Sequence, residues 1–260
     1  MNGRAVRAWA LPVAAVLLLG GCGGHRAGDR AGAAERGAAG RGAGAPEATT
    51  FATLRQAPPD PAPDAGSDGL VIHPDAARPV LDRPGGTPVA VLPTTELGGP
   101  TWVPAVEANG EWLRVLLPSR PNGASGWVTT RGGGLRTAHT PYVIRVDVAH
   151  RALTLLKDGR QAGRWSVAVG EPHTPTPSGR TFVMASLAPA KRTPSPVVLP
   201  LGTHSATLDS FGGGPGTVAL HGWPDASVFG KPVTHGCVRV PQDALRQLSE
   251  VPLGTLVQLG

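Results

Sequence analysis

Gly230-Lys231-Pro232-Val233-Thr234-His235-Gly236-Cys237-Val238-Arg239-Val240, preceded by His221-Gly222-Trp223, is the stretch that decides how this chain is read. A thiol attacks a carbonyl as thiolate, so a reactive cysteine needs a base or a positive neighbour. His221 ends the apolar run Val218-Ala219-Leu220, which puts it at a strand terminus, a rim position where a base meets a nucleophile from a neighbouring segment. His235 stands two residues before Cys237. Gly236 has no Cβ, so substrate can approach the backbone and N–H groups can be aimed at a developing oxyanion. Taken singly, a cysteine and two histidines are most often buried structural residues. Their joint spacing argues for chemistry instead. A zinc site from His221, His235 and Cys237 would need His173 or His204 as fourth ligand, and His-x-Cys is poor metal spacing. No metal and no cofactor are expected. Gly212–Gly216 is not a phosphate loop, because no Gly-Lys-Ser/Thr follows it.

Around this stretch, residues 138–260 read as a mostly β domain. Tyr142–Val148, Leu153–Leu156, Gly163–Val169, Thr181–Met184, Val218–Leu220 and Thr255–Leu259 are strand-like, and Asp158-Gly159 is a hairpin signal. Pro241 suits a first helical position, and Leu245 with Leu248 makes the apolar stripe of one short helix. Short strands punctuated by Gly and Pro point to a sandwich or barrel. The Pro-rich stretch from Ser186 to Ser210 reads as a lid over the site.

The segment resembles the signature of the YkuD-type L,D-transpeptidases: a His-Gly, a spacer, then Ser/Thr-His-Gly-Cys, an apolar residue and Arg or Asn. Thr176-Pro177-Ser178-Gly179 with Phe182 is similar to the family's Thr-Pro-x-Gly-x-Phe element, and Phe211–Gly216, Pro232, Asp243-Ala244-Leu245 and Gly254-Thr255 also fit. The resemblance implies a YkuD-type β-sandwich that acts on peptidoglycan stem peptides. Cys237 would be the nucleophile, forming a thioester with the donor stem. His221 would be general base and then acid, its ring oriented by the Gly222 carbonyl, with His235 assisting. The Gly236 and Cys237 amides would hold the oxyanion. Arg239 would brace the loop or meet a substrate carboxylate, and Thr234 and Trp223 would meet substrate. Thr234 stands where Ser is commoner, and Trp223 follows the His-Gly; neither removes a reacting group. The implied product is a 3→3 cross-link. Water in place of the acceptor amine would give a carboxypeptidase or endopeptidase, and a silent wall-binding lipoprotein is the non-enzymatic alternative. The wall-cleaving NlpC/P60 cysteine peptidases are excluded by chain order, since no histidine follows Cys237.

Residues 69–137 read as a smaller β unit. Thr101–Glu107 and Glu111–Leu117 flank Asn109-Gly110, a tight-hairpin signal. Pro84-Gly85-Gly86, Trp112-Leu113-Arg114-Val115 and Gly126-Trp127-Val128 resemble a bacterial SH3-like domain, which implies a small barrel with a wall-binding or spacer role. Trp112 and Trp127 are expected in its core and Trp102 at its surface.

Residues 22–68 are rich in Ala, Gly, Arg and Pro with almost no apolar periodicity, and read as a disordered tether apart from a weak helix signal over Thr50–Gln56. Arg4 and Arg7 precede the apolar run Ala8–Leu19, and Leu19-Gly20-Gly21-Cys22 resembles a lipobox, so residues 1–21 are expected to be a lipoprotein signal peptide and Cys22 a lipidation site. This places the protein on the outer face of the membrane, facing the wall. Cys22 and Cys237 are the only cysteines in 260 residues, which leaves Cys237 without a disulfide partner in a lipidated chain. The net charge of +6 favours anionic partners, but scattered Arg without aromatic-basic clustering excludes a nucleic-acid platform.

Overall fold

The computed structural model describes residues 44–190 and 193–260. The expected signal peptide (residues 1–21), Cys22 and the tether up to residue 43 lie outside the described residues. The described chain is mainly β, as short Val- and Leu-rich runs between Gly and Pro require. In the first part the strands are β1 (Leu70–Pro74), β2 (Arg78–Leu81), β3 (Pro88–Leu92), β4 (Thr95–Glu96), β5 (Gly99–Pro100), β6 (Val103–Asn109), β7 (Trp112–Leu116), β8 (Ser125–Thr129) and β9 (Leu135–His139). The second part adds β10 (Tyr142–Asp147), β11 (Ala152–Lys157), β12 (Arg160–Ser166), β13 (Val169–Gly170), β14 (Gly179–Phe182), β15 (Val198–His204) and β16 (Thr217–Gly222). It closes with β17 (Pro232–Thr234), β18 (Val238–Val240), helix α1 (Gln242–Leu248) and β19 (Leu256–Leu259).

Seven strands of the first part form one sheet in the order β3-β2-β8-β7-β6-β1-β9. Asn109 pairs with Trp112, so Gly110 and Glu111 are the turn residues, one position later than an Asn-Gly turn would place them. Among the described residues no pairing joins β3 to β9, so the closed SH3-like barrel expected for residues 69–137 is not formed. The free edge of β3 is taken instead by the preceding chain: Ala48 donates to the Val91 carbonyl at 2.8 Å, and Val91 donates to that of Pro46 at 2.9 Å.

That contact corrects the tether reading, which fails from Gly44 onward. Ala48, Leu54 and Ala57 are buried in the first core. Leu54 donates its N–H to the Arg120 carbonyl at 2.7 Å rather than to a helical partner, and Thr50–Gln56 is two turns and no helix. Asp60 forms a bidentate pair with Arg180 of β14, with both bonds at 2.7 Å. A strap of this kind needs no periodicity of its own, because it fills a groove that other elements have built.

In the second part, the five-stranded sheet β12-β11-β10-β19-β14 and the three-stranded sheet β15-β16-β18 share one apolar core, built from Ile144, Leu153 and Val257 on one side and Leu199, Leu220 and Val238 on the other. The two sheets make a β-sandwich. Ala244, Leu245 and Leu248 of α1 pack on this core, with Pro241 as the N-cap rather than the first helical residue. The lid reading of Ser186–Ser210 fails over β15, which pairs with β16 at Val198, Leu199, Pro200 and His204 and is almost wholly buried. Trp127 is buried, whereas Trp112 and Trp102 are half-buried. Phe182, Met184, Ala185 and Leu256 pack into the first core, so the boundary at residues 137/138 separates the sheets more cleanly than the cores.

Candidate active site

Strands β16 and β18 run parallel, with Leu220 opposite Val238, His221 opposite Arg239 and Gly222 opposite Val240. Val218, Leu220, Val238 and Val240 all point into the second core. Alternation therefore sends His221 and Arg239 to the other face, and Cys237, the residue before β18, joins them. Extending the register puts Cys237 opposite Ala219, one strand across from His221 and two residues along it. With strand spacing of ~4.8 Å and a rise of ~3.3 Å per residue, the two Cα atoms lie about 8 Å apart, with both side chains over the same patch.

The protonation state of that patch follows from its bonds. His221 Nδ1 lies 3.1 Å from the Gly222 carbonyl oxygen. A carbonyl oxygen only accepts, so Nδ1 carries the proton and Nε2 presents a lone pair. Burial pushes the His221 pKa below the ordinary value; the Gly222 bond opposes this, and the Arg239 charge adds to it. The ring is thus neutral near neutral pH, in the tautomer a base requires. Burial also pushes the Cys237 thiol up, against a hydrogen bond from the Ala219 backbone and the charge of Arg239. Both shifts favour the uncharged forms, a thiol and a neutral imidazole on one sheet face.

A network of hydroxyls holds the cysteine turn. Thr234 Oγ1 accepts the Gly236 N–H at 3.1 Å and donates to the Cys237 carbonyl at 2.6 Å. This corrects two expectations. The Gly236 amide is occupied by Thr234, so of the two nominated oxyanion amides that of Cys237 remains. The Thr234 hydroxyl is buried in the turn and positions it, so it does not meet substrate. Gly236 sits at φ 113°, a conformation open to glycine and strained for other residues. From below, Thr174 Oγ1 donates to the Thr234 carbonyl at 3.0 Å, and Thr176 Oγ1 donates to that of Gly236 at 2.9 Å. Strand β13 brings this loop alongside β17.

The flanking side chains divide into two groups. Trp223 packs edge-on to His221, with centroids 6.0 Å apart, and carries the Arg239 guanidinium 3.8 Å above its ring. Arg239 Nε is buried without a partner. His235 is exposed and leans on Phe211, with ring centroids 5.2 Å apart. Phe211 stands 52% exposed at the tip of a turn closed by reciprocal 3.0 Å bonds with Gly214. Arg120, from the first part of the chain, holds that loop by donating to the carbonyls of Ser205, Leu208 and Pro215.

Sequence reasoning missed several residues that shape the site. Thr174 and the backbone of Ala219 could have been found, the first from its repeat with Thr176 and the second from its alternation with His221. Ser195 and Arg120 have no local signal, because their partners lie on other elements.

Residues 141–259 match the family model of the YkuD L,D-transpeptidase catalytic domain. The chain is 34% identical over 152 residues to the YkuD protein of Bacillus licheniformis, covering 56% of this chain and 85% of that one. The chain belongs to the YkuD L,D-transpeptidase family. The Bacillus subtilis YkuD protein is 30% identical over 128 residues, 48% of this chain and 71% of its own length. Among solved structures, the catalytic domain of the Enterococcus faecium L,D-transpeptidase is 23% identical with a TM-score of 0.37, over 47% of this chain and 100% of that one. The cysteine turn and the His221 strand both fall within the matched residues.

Proposed function

We propose that this protein is a peptidoglycan L,D-transpeptidase that forms 3→3 cross-links through a thioester on Cys237. The observation that carries the reading is the neutral His221 ring, its Nδ1–H bound to Gly222 and its Nε2 free, on the sheet face that Cys237 shares. His221 Nε2 takes the thiol proton as sulfur attacks the carbonyl of the third stem residue. The Cys237 amide steadies the oxyanion. The intermediate collapses as His221 returns the proton to the departing amine, releasing terminal D-alanine. The amine of a second stem then attacks the thioester and gives a proton to His221, which reprotonates the sulfur as the new amide forms. Arg239 and Trp223 line the approach, and His235 with Phe211 forms its outer rim.

The raised thiol and the depressed imidazole support a base-assisted attack, in which thiolate forms only as the carbonyl is engaged. Cys22 carries the lipid, and the protein faces the wall from the outer side of the membrane, with the seven-stranded sheet as a wall-facing unit. Loss of labelled fatty acid in Cys22→Ala tests the anchor.

Incubation of purified protein with tetrapeptide stems, followed by mass spectrometry, tests the reaction. An acyl adduct on Cys237 and cross-linked dimers are expected, with neither formed by Cys237→Ala. Turnover by Cys237→Ala at the parent rate would overturn the enzyme reading. Free acids without dimers would make the protein a hydrolase.

A further inference from the structure

Strand β15 begins at Val198, opposite His221, so the sheet ends one residue before Gly222 on that side. Gly222 is buried, and its N–H points toward the missing strand, in the same sense as that of Leu220. A buried amide without a partner costs roughly 1–3 kcal/mol. Ser195 fills the gap. Its Oγ accepts the Gly222 N–H at 2.7 Å and donates to the Val197 carbonyl, while Thr193 Oγ1 donates to the Ser195 carbonyl at 2.6 Å. The serine is almost wholly buried. Its hydroxyl is therefore committed in both senses and acts as a substitute strand on the last residue of β16.

Gly222 is also the residue whose carbonyl fixes His221 Nδ1–H. One residue thus receives a restraint at its N–H and delivers one from its C=O. We infer that Ser195 is a positioning residue for His221: by seating Gly222, it holds the imidazole in the Nδ1–H tautomer with Nε2 free. The inference rests on the reading of His221 as the base. The charged and titratable groups beside His221 are Arg239 of β18 and Cys237 just before it, so Ser195 acts on the ring through backbone and without charge.

The test uses the intact protein and two variants. Ser195→Ala removes the acceptor, and Ser195→Thr keeps a hydroxyl. Nitrogen NMR of the labelled His221 ring reads the tautomer independently of activity. The parent and Ser195→Thr are expected to show Nδ1–H, and Ser195→Ala a mixture. In the cross-linking assay Ser195→Ala should lose about tenfold in kcat with KM held, the equivalent of one orienting bond of ~1.4 kcal/mol, and its pH–rate profile should shift. An unchanged tautomer and pH profile in folded Ser195→Ala, with Cys237→Ala inactive, would overturn this inference and leave the proposed function standing. Activity in Cys237→Ala would overturn the function instead, while the NMR result would still report on Ser195.

Discussion

Replacing Asp60 with alanine should destabilise the fold far more than its place in a proline-rich strap suggests. Both side chains of the Asp60–Arg180 pair are 2% exposed. Arg180 spends Nε and Nη2 on the carboxylate, and Nη1 on the carbonyls of Ala65 and Gly66. Asp60→Ala leaves a buried guanidinium with two unpaired donors. Removing one partner of a buried pair costs about 3–5 kcal/mol. For a fold of this size each 1 kcal/mol moves Tm by about 2–4 °C, so a fall of roughly 6–20 °C is expected. Thermal unfolding followed by circular dichroism reads it. The surface pair Asp75–Arg136, whose side chains are 51% and 60% exposed, is the control: Asp75→Ala should cost no more than ~1 kcal/mol. The double change Asp60→Leu with Arg180→Met should recover most of the loss, because an apolar pair leaves no charge unpaired. If Asp60→Ala behaves like Asp75→Ala, the strap is not held by this pair and the reasoning fails.

Further predictions concern the site. Alkylation of Cys237 by iodoacetamide, followed on its own peptide, should keep accelerating above the ordinary cysteine value of ~8.5, because burial holds the thiol protonated; a plateau reached by pH 7 would contradict a resting thiol. His221 and His204 both have pKa values depressed by burial. The unfolded chain binds more protons below about pH 6.5, so the stability these rings contribute is full above that value and is lost as pH falls through their folded pKa values. The Tm should fall from pH 7 toward pH 5, and His204→Gln should flatten part of that slope. A Cβ on Gly170 would overlap the Thr174 carbonyl and the Thr176 amide. Gly170→Ala should therefore cost roughly 1–3 kcal/mol, and it should abolish cross-linking by displacing both threonines from the cysteine turn.

The sequence made the local features legible and left the long-range ones hidden. Asp158-Gly159 gives the turn expected, with Lys157 opposite Arg160. Leu245 and Leu248 bury the stripe expected of α1. His221 and Cys237 stand out because their spacing is a property of the chain itself. The strap at Gly44–Asp68 was illegible because its anchors, Arg120, Arg180 and Val91, are distant residues, and composition reports only what a segment does alone. Strand β15 was hidden by Pro194, Pro196 and Pro200, which read as loop although Leu199 and Leu201 are core. The resemblance assigns Thr234 to substrate and the Gly236 amide to the oxyanion. Only the bonds closing the turn show that one is spent holding the other.

The shared apolar cluster has an evolutionary corollary. Phe182, Met184, Ala185 and Leu256 rest on side chains contributed by the seven-stranded sheet. A fragment beginning near Pro141 would present those four to water and stick to its own copies. Grafting this C-terminal half behind an unrelated partner would demand repainting that face with polar residues, so the two halves are expected to travel through descent together and not to be shuffled as interchangeable parts.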